Sequence, residues 1–313
     1  MVRKGGGKMR RWLGVVLATF AALTVSAEVG LRMAGLTDFP LYQVDASAGY
    51  IPKPSQHGAF LNKNDWAFND QSMGAAEAFK PSPSDVVLVG DSIVYGGNPF
   101  RQSEKLGPQL QRLTHRMVWP VAAGGWSLGN EAGYLLSHPA VARDGTLVLV
   151  LNSGDLAPTE HWQSDLYHPR RHPLIATEYL FRRYVWHAEF PNDAPPELDY
   201  AARLQTRLSQ IAAMHPGRIV VLLYPTHSEQ EHHQDSFGPI VSLIQRAMPA
   251  ATVVRLADDR RWTAARYTDV IHPRKDAVPI IADVIARALE ADRRRMAMAT
   301  APLRIHEHQV TAH

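Results

Sequence analysis

Asp85-Val-Val-Leu-Val-Gly-Asp-Ser-Ile-Val-Tyr95 is the stretch that decides the fold. Val86 to Val89 are apolar without alternation, as in a short strand buried on both faces. The run stops at Gly90-Asp91-Ser92, and apolar residues resume at Ile93. This pattern places Ser92 at the carboxyl end of a central strand, where open α/β sheets gather their chemistry. There a serine exposes its hydroxyl, and its backbone N–H is free to face negative charge. The same residues also read as a plain turn with a capping side chain.

Outward from this run, four further stretches have strand character: Met117–Ala122, Thr146–Leu151, Arg218–Tyr224 and Thr252–Leu256. Helical patterns separate or follow them at Ser103–Leu113, Asn130–Leu136, Leu198–Met214, Pro239–Ala247 and Ala277–Leu289. Such alternation predicts an α/β protein with a five-stranded parallel sheet and helices on both faces. Residues 37–83 hold Pro40, Pro52, Pro54, Pro81 and Pro83 with little periodicity. They read as a connector packed on the main domain (84–292), with Phe60, Trp66 and Phe68 as anchors. Residues 156–197 interrupt the alternation with Trp162, Tyr167, Tyr179, Phe181, Tyr184, Trp186 and Phe190 among His and Arg. Long insertions after strand ends commonly serve binding, and these aromatics suit sugar rings or the cover of an acyl pocket. The bland alternative is a short Tyr179–Trp186 helix whose aromatics pack on the sheet. Residues 293–313 lack an apolar pattern and read as a frayed tail.

Two more stations bear on chemistry. Tyr267-Thr-Asp269-Val-Ile-His272-Pro273 sets a carboxylate three residues before an imidazole, which puts both on one face of a turn. Such a carboxylate can fix the histidine tautomer and leave the other nitrogen to take a serine proton. Val121-Ala-Ala-Gly124-Gly125 closes another apolar run, and a glycine there lets a backbone N–H approach a reacting carbonyl.

Taken together, these blocks resemble the SGNH/GDSL hydrolase superfamily. Gly90-Asp91-Ser92 resembles its nucleophile block, Gly124 stands where its oxyanion glycine does, and Asp269-Val-Ile-His272-Pro273 resembles its closing Asp-x-x-His block. The resemblance implies a flavodoxin-like three-layer sandwich. It also implies a triad of Ser92, Asp269 and His272, and an oxyanion hole of the Ser92 and Gly124 N–H groups. One block departs. The family's Gly-x-Asn-Asp becomes Asn152-Ser153-Gly154-Asp155 here. In an extended strand end, residues two apart share a face, so Asn152 can stand in as third donor. Alternatively it caps the strand and the hole has two donors. A rival pair, Asp165-Leu-Tyr-His168-Pro169, has the same form. It lies inside the insertion rather than after all five strands, so Asp269 and His272 are preferred and His168 reads as solvated or substrate-facing. His227, Glu229, Glu231, His232, His233 and Asp235 form the most metal-like group, but no regular template fixes them and a solvated loop is the better reading.

Of the 313 residues, 33 are Lys or Arg and 30 Asp or Glu, and none is Cys. Arg3, Lys4, Lys8, Arg10 and Arg11 account for the positive balance; without them 28 basic residues face 30 acidic ones. The charge is therefore terminal and gives no reason to expect nucleic-acid binding. Trp12 to Ala27 is free of charge and, as a helix, about 24 Å long against a bilayer core of about 30 Å. Apolar residues continue past Glu28. Residues 1–36 thus read as a basic segment and signal-anchor in the inner membrane, with the remainder on the periplasmic side. Val25-Ser26-Ala27 offers the alternative of cleavage and secretion. The expectation is an exported esterase that removes an acyl group, acetyl included, from a carbohydrate or other ester. It needs no metal or organic cofactor and no partner beyond substrate and membrane. An O-acyltransferase with the same triad and a non-catalytic glycan-binding protein are the alternatives.

Overall fold

A computed structural model describes residues 6–186 and 200–300. Helix α1 spans Gly6–Met33. Two antiparallel hairpins follow: β1 (Tyr42–Asp45) with β2 (Gly49–Pro52), and β3 (Gln56–Phe60) with β4 (Asn64–Phe68). The main domain then runs β5 (Val86–Gly90), α2 (Ser92–Tyr95), α3 (Leu106–Thr114), β6 (Val118–Ala122), α4 (Leu128–Ser137), α5 (Pro139–Ala142) and β7 (Thr146–Leu151). After these come α6 (Ala176–Tyr184), α7 (Tyr200–Met214), β8 (Ile219–Leu223), α8 (His227–Glu231), α9 (Gly238–Ala247), β9 (Thr252–Arg255) and α10 (Val278–Thr300).

The last five strands form one sheet in the order β6-β5-β7-β8-β9, every pair parallel. Every residue of β5 to β8 is buried. Alternation along the strand divides them between two cores. Val87, Val89, Leu147, Leu149 and Val221 meet α4, α7 and α9; Val86, Leu88, Val148, Val150 and Val220 meet α3 and α10. The chain leaves β5 for β6 on one side and returns to β7 on the other. The crevice at such a reversal of order lies beside the end of β5, where Ser92 stands.

Residues 42–68, expected as an aperiodic connector, instead make the two hairpins. The β3–β4 turn holds Leu61 and Asn62 at positive φ, so the glycine that usually marks such a turn is missing. Trp66 and Phe68 are buried and Phe60 is half-buried. The first hairpin braces the loop after β6: Trp126 Nε1 donates to the Tyr50 carbonyl at 2.9 Å and Asn130 Nδ2 to that of Ala48 at 2.8 Å. The insertion's helix is α6, but its aromatics do not pack on the sheet: Phe181, Tyr184 and Trp186 are exposed. The expected frayed tail is helical as far as Thr300, and residues 301–313 lie outside the described residues, as do Phe190 and residues 198–199 of the expected helix. Helix α1 is long and apolar enough to cross a membrane or to act as a signal sequence, and its side chains from Met9 to Ala27 are exposed.

Candidate active site

Ser92 opens the single turn of α2. Asp91 caps it, its Oδ1 accepting the Ile93 N–H at 2.8 Å, and Gly96 ends it at φ +74°. Gly90 makes the tight return possible, since a Cβ there would fall 2.5 Å from Val94 Cγ2 and 3.3 Å from the Val150 carbonyl oxygen. The loop before α10 brings the other two residues. Asp269 Oδ1 accepts the N–H groups of Ile271 at 2.9 Å and His272 at 2.8 Å, an Asx-type turn that fixes the carboxylate. Its Oδ2 lies 2.8 Å from His272 Nδ1, and His272 Nε2 lies 2.9 Å from Ser92 Oγ. An ionised Asp269 can only accept, so it selects the Nδ1–H tautomer and leaves Nε2 to accept the serine proton. Partial burial works against the Asp269 charge, but the His272 and Ile271 N–H groups and the imidazole outweigh it and hold the carboxyl below its usual range.

Gly124 and Ser92 line the same cavity. Among the described residues neither N–H donates to a protein acceptor. A Cβ on Gly124 would meet nothing within 4 Å, so packing does not require the glycine; its absence of a side chain leaves open space beside Ser92. The Gly124 carbonyl faces the other way. Tyr50 Oη donates to it at 2.7 Å and His168 Nε2 lies 3.1 Å from it. His168 is therefore a brace that also lines a cleft at Ser92, rather than a solvated residue. Its ring lies 4.0 Å from that of Tyr50, and burial depresses its pKa to about 4, so it is neutral and donates from Nε2. Asp165 does not reach it but binds the Arg170 backbone N–H at 2.8 Å and guanidinium at 3.1 Å.

Asn152 corrects the sequence expectation. Its Nδ2 donates to Asp155 Oδ1 at 2.7 Å and to Asp91 Oδ2 at 3.1 Å. Both amide hydrogens are used inside the protein, where Asn152 is buried, and it does not line the cavity at Ser92. Asn152 instead bridges Asp91 and Asp155, which with Glu131 make up a buried acidic group that the sequence did not disclose. Burial raises the Asp91 pKa to about 6, against the opposing pull of the Ile93 N–H and His272. Burial, with the neighbouring carboxylates next, raises Asp155 and Glu131 further. Both Glu131 oxygens are buried without a partner, as suits an uncharged acid. Among the described residues no group of three or more His, Cys, Asp or Glu is arranged to hold a metal ion. In the histidine-rich stretch Glu229 instead caps α8, accepting the Thr226 N–H at 2.8 Å.

These raised carboxyls set a pH dependence of stability. Their unfolded values lie near 3.8 for Asp and 4.5 for Glu. Between there and their native values the folded state holds more protons than the unfolded one, so stability falls as pH rises. The stabilising difference is complete below about pH 4 and, for Asp91, gone above about pH 6. Asp269 and Asp259, held low, act in the opposite sense and only in the more acid range. Thermal unfolding of the full chain in detergent is expected to give a higher Tm near pH 5 than at pH 8. Glu131→Gln should match the parent at pH 5 and exceed it at pH 8. A Tm that rises from pH 5 to 8 in both proteins would rule this out.

Two clefts meet at the Ser92–His272 pair. One, of about 470 Å³, is walled by Ile93, Pro99, Phe100, Leu106, Pro273 and Val278. The other, of about 460 Å³, is walled by Tyr42, Tyr95, Tyr167, Tyr179, Tyr184 and Arg183. The sequence pointed to the insertion aromatics as a group, but not to Tyr42 in β1 or Tyr95 at the end of α2, whose positions gave no signal. A larger groove of about 610 Å³, beside β9 and α10, contains neither Ser92 nor His272.

The chain is similar in fold to solved SGNH and GDSL hydrolases. A chain described as an SGNH hydrolase, from Slackia heliotrinireducens, is 17% identical over 66% of this chain and 100% of its own, with a TM-score of 0.41. The psychrotrophic esterase EstA from Pseudoalteromonas sp. is 14% identical over 67% of this chain and 99% of its own, at 0.41. The acetyl xylan esterase Est2A from the rumen bacterium Butyrivibrio proteoclasticus is 9% identical over 71% and 67%, at 0.39. No protein-family model matches the chain, and no curated protein matches it. At these identities and TM-scores the likenesses carry no functional argument, and function rests on the site itself.

Proposed function

We propose that the protein is an exported, membrane-anchored serine esterase of the SGNH/GDSL type, acting on acylated carbohydrate or a similar ester. The observation that carries this reading is the aligned Asp269–His272–Ser92 relay, with spacings of 2.8 and 2.9 Å, where two clefts meet. Ser92 Oγ attacks the ester carbonyl while His272 Nε2 takes its proton. The carbonyl oxygen becomes an alkoxide held by the Ser92 and Gly124 N–H groups. The C–O bond to the alcohol then breaks, His272 returns the proton to the departing oxygen, and an acyl-enzyme remains. Water, deprotonated by His272, attacks the acyl carbon and releases the acid and Ser92. The apolar cleft suits the acyl group. The aromatic one, with tyrosine faces and a guanidinium, suits a sugar alcohol, because such rings stack on sugar faces while their polar tips bond hydroxyls. No step requires a metal or organic cofactor.

The same cleft has room for a sugar acceptor in place of water, so an O-acyltransferase is the second reading. A serine-reactive phosphonate ester is the test. It should add one adduct to the full chain, at Ser92, and should fail on His272→Ala. Labelling elsewhere, or none, would remove the esterase and transferase readings together. Product analysis with and without sugar acceptors then separates those two.

A further inference from the structure

The aromatic insertion is tied to the far end of α1. Glu28 Oε1 accepts the Ala176 N–H at 2.8 Å and Oε2 that of Thr177 at 3.1 Å, so a residue of α1 caps the first turn of α6. Arg32 Nη2 donates to the carbonyls of Pro173 and Leu174, both at 2.9 Å, and its Nε to Glu28 at 2.8 Å. Arg11 and Glu28 are separated by about 26 Å of helix, close to the ~30 Å of a hydrocarbon core. With Arg10 and Arg11 at one headgroup layer, Glu28 and Arg32 lie at the other. Residues 173–177, bonded to them, lie at that same depth.

Helix α6 has two faces. Tyr179 and Arg183, four apart, line the cleft at Ser92. Phe181 and Val185, also four apart, fall two residues round from these and stand 49% and 65% exposed. Trp186, just past the helix, is 70% exposed and its ring meets that of Phe181 edge to face, while Leu174 and Ile175, just before the helix and next to the segment that Arg32 holds, are 89% and 51% exposed. Large apolar groups left exposed at both ends of one short helix mark a contact, and Trp and Tyr concentrate at the headgroup level of membranes.

We propose that Leu174, Ile175, Phe181, Val185 and Trp186 form a lipid-docking face, seated in the headgroup layer from which α1 emerges. This rests on the reading of α1 as a membrane span. It sets the aromatic cleft against the lipid surface, within reach of esters carried by membrane-bound amphiphiles. The bilayer is the occupant because the face is continuous, through Glu28 and Arg32, with the segment that crosses it.

The chain has no cysteine, so single cysteines can carry an environment-sensitive fluorophore. The full chain is placed in phosphatidylcholine–phosphatidylglycerol vesicles containing nitroxide lipids. Probes at Leu174→Cys and Phe181→Cys should lose about half or more of their emission to a headgroup nitroxide and be shielded from iodide. A probe at Leu113→Cys on α3 should respond to iodide alone. A probe at Leu17→Cys should be quenched by a mid-chain nitroxide. If Leu17 is quenched but 174 and 181 behave like 113, the docking face is overturned and the span stands. If 174 and 181 are shielded from iodide yet untouched by nitroxide, protein covers them and the proposal is equally overturned. An unquenched Leu17 overturns the span and the proposal with it.

Discussion

Ser92→Ala and His272→Ala are each expected to lower kcat/KM for ester cleavage by about 10⁴, and the double variant to fall little further. The non-additivity follows from the geometry. Ser92 Oγ and His272 Nε2 are the two ends of one hydrogen bond, and either deletion removes the same proton transfer. Asp269→Asn should cost a comparable factor, about 10⁴, because an amide no longer dictates which nitrogen of His272 carries the proton. Asp165→Asn is the control. Its carboxylate holds Arg170, whose guanidinium stacks 3.9 Å above the Trp162 ring. It has no path to Ser92 and should leave the rate close to parental. Steady-state kinetics on a soluble aryl ester checks all four. Loss of activity in Asp165→Asn with survival in Asp269→Asn would reverse the assignment.

Asn152→Leu is expected to destabilise the protein by about 3–5 kcal/mol, the range for stripping a partner from buried ionisable groups. One amide satisfies Asp91 and Asp155 together, and the Asn152 side-chain Oδ1 accepts the Gly154 N–H at 2.7 Å. Leucine has the volume but none of these bonds. Asn152→Asp should be worse above pH 6, since it adds a fourth carboxylate to the group. Denaturant unfolding measures both. The decisive contrast is with a donor to the oxyanion, whose loss would cost about 10²–10³ in kcat and little stability. An Asn152→Ala protein that unfolds like its parent but is slower by that factor would mean the amide turns toward the substrate after all.

What could be read from the chain depended on how local its cause was. Strands β5, β7 and β8 were legible because runs of Val, Leu and Ile need no distant partner to declare burial on two faces, and all five strands begin within a residue of expectation. Asp269 and His272 were legible because three residues of turn suffice to pair them. Asn152 was not. Its orientation is decided by Asp91, sixty-one positions earlier, and by a buried acidic group that no local pattern announces. His168 was half legible: it lines the cleft at Ser92, as a substrate-facing residue would, but its contacts to Tyr50 and the Gly124 carbonyl lie in other segments. The second hairpin, 56–68, escaped notice because Leu61 and Asn62 turn the chain without glycine.

The cap that Glu28 places on α6 has a consequence for maturation. Proteolysis after Ala27 would make Glu28 the first residue of the released protein. The carboxylate that orders the aromatic wall would be kept whether the leader stays or goes. A truncation that begins after Leu36, the natural choice for a soluble sample, would instead leave the Ala176 and Thr177 N–H groups without their acceptor. Two preparations differing by nine residues, both lacking the greasy leader, would then differ at the cleft. The shorter one would have a frayed wall beside Ser92, and any ligand preference measured on it would describe the truncation rather than the protein.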